Sequence, residues 1–514
     1  MKNGTTLRLI LGDQLNSQHS WFRQVRADIL YTLMEVRQET DVVRPHIQKV
    51  AGFFSAMRHF ADDLARMGHR VVYQRLDDPN NEQSFGANLI RLIREQRIAR
   101  FEYMQPDDYR LDGQLARLAS RLSIPSALVE TEHFLTARSD LAEHFKGKKR
   151  YLMESFYRQM RRRHDILIDN GKPAGGKWNY DQSNRQRYDG KVPLPEVCTF
   201  GNDVSDIVAM IERCQVPTFG RIDPQRLIWP VNRNQALRQL HSFVDQRLPH
   251  FGTYQDAMTT ENGFLFHSVL SFALNTKMIH PMEVIQAAIA RSQSASDEAV
   301  GVEQLEGFVR QILGWREYMR GVYWAHMPAC ASLNHFGHSA RLPHYYWTAD
   351  TRMNCLRIAI SQSLEHAYAH HIQRLMITGN FALLAGIHPD EVDQWYLGIY
   401  IDAVHWVEIV NTRGMSQYAD GGLVATKPYI SSANYIRKMS DYCEACHYQW
   451  RKTVGECACP FNSLYWAFIH RHRQSLAENP RVSMMVRTWD RMQTRKREDL
   501  LAQAEQYRAV LNTI

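Results

Sequence analysis

The most specific chemistry in this 514-residue chain is carried by cysteines near its C-terminal end. Cys443 and Cys446 are two residues apart, Cys457 and Cys459 are one apart, and Pro460 follows. Thiolates gathered in so short a span suit zinc or an iron–sulfur cluster, both of which take soft sulfur ligands. Those four alone are enough for a small zinc knuckle, with His447 in reserve, and the spacing by itself leans to zinc. Cys355, in a helical stretch far upstream, offers a different fourth ligand. The Cys-Pro ending also follows cluster cysteines in bacterial ferredoxins, so spacing leaves the metal open.

Composition narrows the setting for these thiols. Hydrophobic residues make up 44% and charged residues 23%, a globular balance long enough for two domains. The net charge of +8 suits a polyanionic partner, although many basic proteins have none. No apolar run reaches about 18 residues, which argues against a membrane span. MKNGTTLRLILGDQL turns polar too soon for a signal peptide, so a cytoplasmic, reducing location is expected. Free thiols or metal ligands are then expected in preference to disulfides among the eight cysteines.

Residues 1–135 alternate strand and helix patterns: strands over Leu7 to Leu11, Arg70 to Leu76, Ala99 to Met104 and Ala127 to Glu130, with helices over Phe53 to Met67, Leu89 to Gln96 and Arg110 to Leu122. Such alternation predicts an α/β, doubly wound parallel-sheet (Rossmann-like) domain, with ligands at the carboxyl ends of strands, where Gly12-Asp13-Gln14 stands. No GxGxxG is present, so a nicotinamide site is not supported. Residues 136–225 read as an interdomain linker with a basic cluster at Lys146, Lys148, Lys149 and Arg150, then Arg161-Arg162-Arg163 and the polar KPAGGKWNYDQSNR. Those cations suit a solvated helix face as well as a nucleic-acid contact. Residues 226–514 predict a large all-α domain, with helices over Glu303 to Tyr323, Asn354 to Ile377 and Asp390 to Tyr400.

Across nearly the whole chain the sequence resembles the photolyase/cryptochrome family, most closely its iron–sulfur bacterial subgroup, which includes prokaryotic (6-4) photolyases. GDQL, FGTYQDAM with HSVLSFALNTKMIHP, GWREYMRG, AHHIQRLM and the Asp402-to-Tyr418 stretch carry the likeness, each in the family's order. The resemblance implies that the helical domain binds FAD. Arg374 and Asp402 resemble the Arg–Asp pair at the flavin ring, although by residue type alone they make an ordinary salt bridge. Glu408 falls where common photolyases place an Asn facing flavin N5. Tyr254, His267, Ser268, Leu270 and Ser271, with Gln311 and Arg316, resemble the segment holding the diphosphate; Ser side chains also often only cap helices.

His371 resembles the histidine that separates (6-4) repair from cyclobutane-dimer repair, with His370 beside it, and imidazole titrates near neutral pH. Tyr429 resembles a lesion-contacting aromatic. Trp347, Trp395 and Tyr396 resemble the subgroup's electron-transfer path; Thr412 stands where ordinary photolyases carry the flavin-proximal tryptophan. The metal becomes a 4Fe–4S cluster on Cys355, Cys443, Cys446 and Cys459, with Cys457 spare and a structural role. An antenna, 6,7-dimethyl-8-ribityllumazine, is expected in the N-terminal domain against Asp13, Gln14 and Glu35. The implied activity is light-dependent repair of UV-damaged DNA by a monomeric (6-4) photolyase with His371 as proton donor. A cryptochrome-type blue-light photoreceptor is the alternative, ahead of a cyclobutane-dimer photolyase and a zinc-dependent nucleic-acid-binding protein.

Overall fold

A computed structural model describes residues 4–148, 150–294 and 299–514; Lys149 of the basic cluster lies outside the described residues. The N-terminal part is built on five parallel strands, β1 (Thr6–Leu9), β2 (Ile29–Met34), β3 (Arg70–Gln74), β4 (Arg100–Met104) and β5 (Ser126–Val129). They lie in the order β3-β2-β1-β4-β5, with Leu7 opposite both Leu30 and Phe101. The chain therefore winds outward from β1 in both directions, as the alternation predicts. β2 is the strand the periodicity missed. Its sequence, ILYTLM, is buried at every position, so it shows no alternation; interior parallel strands read this way because both faces are covered.

One face of the sheet packs Leu7, Leu9 and Leu30 against Leu89 and Leu92 of Phe85–Glu95 and Leu111 and Leu115 of Tyr109–Arg121. The other meets the helix Ile47–Arg66, whose Phe54, Met57 and Leu64 join a core continuous with the C-terminal helices. That helix is the joint between the two parts. A Cβ at Gly52 would lie 2.9 Å from Ile401 Cδ1, so any larger residue there would have to displace the Ile401 side chain. Lys277, 2% exposed at its side chain, seals the joint from the helical side. Its Nζ donates to the Asp13 carbonyl at 2.6 Å and sits 2.7 Å from Asp107.

Residues 136–225 hold helices Asp140–His144, Met153–His164 and Ser205–Arg213, and a two-stranded ribbon pairing Ile168–Asp169 with Lys172–Pro173. Met153–His164 packs on Arg310–Arg316 and Ser205–Arg213 on Ile47–Arg66, so this connection is part of the packed body. Arg161 is neither a solvated cation nor free for nucleic acid. It is buried and donates to the carbonyls of Ile166 and Trp178. Arg163 pairs with Asp140 at 2.6 Å.

The remainder is helical. The stretch predicted as one helix from Asn354 to Ile377 is broken: Asn354–His366 ends at Ala367, in the left-handed region at φ 51°. A short irregular stretch through His370 follows. Three wide-turn (π) helices, Arg310–Arg316, Gln373–Gly379 and Ile409–Ser416, interrupt the helices around one cavity. Such turns add a residue to the ring and re-aim side chains, often at functional sites. No described helix is long and apolar enough to cross a membrane.

Candidate functional site

Each π helix sends a side chain into the same cavity of about 300 Å³: Arg316, Arg374 and Thr412. Arg374 is the hub. Its Nη2 donates to both carboxylate oxygens of Asp402 at 3.0 Å, and its Nε donates to the Ala369 carbonyl at 2.7 Å. The guanidinium lies 3.7 Å over the Tyr400 ring, and Nη1 is 3.7 Å from Glu408. Burial works against its charge, but Asp402, Tyr400 and Glu408 outweigh it and raise its pKa. Asp402 also accepts from Ser271 Oγ at 2.6 Å, which fixes the carboxylate's second edge. Burial pushes the Glu408 carboxyl up against the pull of Arg374, and Thr412 Oγ1 donates to it at 2.9 Å.

The opposite wall is imidazole. His267 and His370 stack with centroids 4.4 Å apart and planes 13° off parallel. Buried polar atoms are normally partnered. Here His267 Nε2, both ring nitrogens of His370, and Arg316 Nε and Nη1 are buried without a hydrogen-bond partner, and all three residues line the cavity. Burial holds His267 down at about 3, with His371 and Arg247 adding to it. His371 is solvent-exposed where it lines the cavity. Burial and Arg374 lower its pKa to about 4, which leaves the ring neutral near neutral pH.

Of the other expected residues, Ser268 and Gln311 line the cavity, and Gln311 Nε2 donates to the Gly307 carbonyl. Leu270 is buried and Tyr254 packs at 5.2 Å on Phe266 in a separate small cluster, so neither reaches the cavity. Tyr429 lies off it, half-buried, where burial raises its pKa and Arg185 and Arg481 are its cationic neighbours. Tyr396 lines the cavity and meets Trp395 at 5.2 Å. The next ring from Trp395 is Tyr346 at 5.1 Å, whose carbonyl accepts from Trp395 Nε1. Trp347 packs edge-on against Phe219 at 4.9 Å.

A second cavity, of about 210 Å³, opens where the carboxyl ends of β1 and β2 meet the helical part. Gly12 and Asp13 line it, as the strand-end rule predicts. Gln14 does not: its Oε1 accepts from Leu11 N, and its Nε2 donates to the Met104 and Gln105 carbonyls. Glu35 is likewise spent, accepting from Arg58 at 2.8 Å, Tyr73 Oη at 2.7 Å and Leu76 N at 2.9 Å. Glu39, one helical turn on and paired with Arg110 at 2.9 Å, faces the cavity instead.

Two further residues escaped sequence reasoning. Trp406 lines both cavities. Lys49 lines the second while donating to the carbonyls of Leu397 and Ala403 at 2.6 and 2.7 Å, and burial holds its pKa down at about 8 against the pull of Glu408 and Asp402. Trp406 lies within the Asp402-to-Tyr418 stretch without a residue type that marks a role, and Lys49 stands in no motif, so the fold alone brings them to these walls.

Cys355, Cys443, Cys446 and Cys459 gather at one end of the helical part. Burial raises the Cys355 thiol, and Cys459, Cys446 and Cys443 add to it; the Cys457 Sγ lies 3.9 Å from His447 Nε2. Among the described residues no group of three or more His, Cys, Asp or Glu side chains stands ready-made around a single metal ion.

Residues 8–227 match the family model described as deoxyribodipyrimidine photo-lyase-related protein. Over 501 residues, 97% of this chain and 98% of the relative, the sequence is 41% identical to a protein of Agrobacterium fabrum named (6-4) photolyase. An uncharacterised protein of Acanthamoeba polyphaga mimivirus is 34% identical over 126 residues, 24% of this chain and 92% of that one. A bacterial class III photolyase from Agrobacterium tumefaciens, solved by crystallography, shares the fold with a TM-score of 0.58 at 15% identity, covering 100% of this chain and 99% of that chain.

Proposed function

The chain belongs to the photolyase family, and from that premise we propose that it is a DNA repair lyase acting in light on the (6-4) pyrimidine–pyrimidone lesion. The observation that carries this reading is the opening of His371 into the cavity walled by the Arg374–Asp402 couple. The cavity fits FAD: unpartnered Arg316, His267 and His370 atoms ask for an anionic, polar-edged occupant, and Ser268 and Gln311 stand among them. Bound there, the flavin supplies light absorption and the electron.

The chain's own residues supply position and protons. The Arg374 guanidinium, held beside Asp402, presents a planar edge that stays charged. The Glu408 carboxyl, raised by burial, would keep a proton more readily than an exposed one. His371, neutral in the bare cavity, gains basicity when phosphates lie beside it, because anions favour imidazolium. Proton donation from His371 is therefore tied to occupancy of the site.

We assign a 4Fe–4S cluster to Cys355, Cys443, Cys446 and Cys459. Tetrahedral zinc needs its sulfurs about 2.3 Å from one point. Cys443, Cys446 and Cys459 all lie within electrostatic reach of Cys355, and a 4Fe–4S cluster takes four such thiolates. Such a cluster ties the 443–459 loop to Asn354–His366. The second cavity suits a planar antenna such as 6,7-dimethyl-8-ribityllumazine, with Asp13, Glu39 and Arg110 for its polar edge and Phe53 and Trp406 among its apolar walls.

The test is His371→Ala assayed on oligonucleotides carrying either lesion under blue light. Retained flavin with at least about a 100-fold loss of (6-4) turnover is expected, the usual scale for a positioned acid. Undiminished (6-4) repair by that variant would refute the assignment. A wild-type protein that carries flavin but repairs neither lesion would point to a photoreceptor.

A further inference from the structure

A third cavity, of about 470 Å³, is used by neither the flavin site nor the antenna site. Its walls are aromatic: Tyr435 from Ala433–Met439, Trp450 from the cysteine loop, and Tyr465 and Trp466 from Pro460–Arg471. Arg451 lies with its guanidinium 4.8 Å from the Trp450 ring centre, solvent-exposed. Ser432, Asn434 and Thr453 bring hydroxyl and amide groups to the rim. Flat π faces with hydroxyl, amide and guanidinium groups at their edge suit a planar heterocycle.

The frame is rigid. Asn462, buried beneath, donates to the carbonyls of Trp450 and Lys452 at 2.8 Å and accepts from Ala433 N at 3.1 Å. One amide thus locks together the loop and both helices. Trp450, Arg451 and Thr453 belong to the loop between Cys446 and Cys459, so the cysteine centre sets one wall.

Charges of both signs surround the cavity: Arg185, Arg481, Asp181 and Asp256 lie within electrostatic reach of Tyr429, and Asp256 and Arg185 of Tyr435. Asn380, one residue beyond the π helix that carries Arg374, donates to the Ser431 carbonyl at 3.0 Å and tethers the cavity rim to the flavin-site helix. Lys427, Arg451, Lys452 and Arg481 form no ion pair among the described residues, which leaves their charge for an anionic backbone.

We propose that this cavity is a second nucleic-acid subsite, which stacks one unpaired base of the DNA strand while the cations around it hold the adjoining phosphates. Aromatic platforms within a basic groove are the general means of holding single-stranded DNA. Duplex bases hide their faces, so the occupant is a base freed from pairing, a situation that flipping of a lesion creates. The proposal rests on the repair reading only in that this face meets DNA.

The test compares Arg451→Ala and Ser432→Trp with the wild-type holoprotein. Fluorescence anisotropy reads binding to a short oligothymidylate and to an abasic strand of equal length at one salt concentration. Arg451 is exposed and Ser432 stands at the rim, so both variants keep the fold, which flavin content monitors. Arg451→Ala is expected to weaken oligothymidylate binding at least about 5-fold, the low end of one base–aromatic stack. Ser432→Trp fills the cavity and is expected to cut the preference for base-bearing over abasic strand by a similar factor. Equal binding by wild type and both variants, or a wild type indifferent to bases, overturns the subsite and leaves the repair reading intact. A wild type that binds neither strand nor damaged duplex removes both.

Discussion

Asp402 answers for the charge of a guanidinium that has little access to water, and it does so with two oxygens against Arg374 Nη2 and one against Ser271. Removing one partner of such a pair leaves the other uncompensated, at a cost of about 3–5 kcal/mol. Glu408, 3.7 Å from Arg374, softens that cost because a second carboxylate stands by. Asp402→Asn is therefore expected to destabilise by about 3 kcal/mol, the low end of that range, and to purify with a clearly lower flavin-to-protein absorbance ratio. The pair would be no more than a surface salt bridge if the variant kept both its melting temperature and its full complement of flavin. At this scale sequence reasoning names types and neighbourhoods better than facings. Arg374, Asp402, Glu408 and His371 all line one cavity, because motif residues repeat the geometry of their family. Glu35 is spent on Arg58, Tyr73 and Leu76 N, and Glu39, four residues on, lines the second cavity in its stead, a facing that a strand end sets and residue type does not.

The cysteine loop offers the corresponding test for an element. The helix Asn354–His366 and the 443–459 loop meet where Cys355 faces Cys443, Cys446 and Cys459, while Cys457, at φ 57°, turns towards His447. Cys457→Ala is expected to keep the iron content and melting temperature of the wild type. Cys355→Ala is expected to lose iron and to loosen the loop and the helix Pro460–Arg471 that follows, because metal binding at such a site contributes to folding. Iron per protein chain separates the two, and a Cys457 variant that loses iron would move the fourth ligand. Elements were legible where periodicity is local. β1 and the helices flanking it follow from apolar spacing. β2 did not, since burial on both faces erases its alternation. The π helices leave no compositional trace either: one extra residue per turn changes which side chains share a face without changing which residues are present. The break at Ala367 carries no Gly or Pro, and tertiary packing alone sets it.

Several histidines packed into the body of the molecule are held neutral by burial. Away from the flavin site, burial and neighbouring cations hold His46 down at about 4, His338 at about 3 and His472 at about 4. His338 Nε2 and His472 Nε2 have no hydrogen-bond partner, so nothing in the fold rewards a proton there. Unfolded, each ring returns to an ordinary value near 6.5. Between these values the unfolded chain takes up protons that the folded chain refuses. The stability linked to these groups is therefore complete above pH 6.5 and is lost as pH falls towards 4, by about 1.4 kcal/mol per pH unit for each proton taken up. Asp256 and Asp393, raised by burial to about 6 and about 7, act in the opposite sense, since they bind protons first in the folded state. The histidines outnumber them. The melting temperature of the holoprotein, followed by calorimetry at constant ionic strength, is expected to hold level above pH 6.5 and to fall steadily below it. His338→Phe keeps an aromatic ring against Phe336 and Phe468 and is expected to make that fall shallower. A melting temperature that stays flat or rises on acidification would mean that these rings find protons, or partners, that the fold as described denies them.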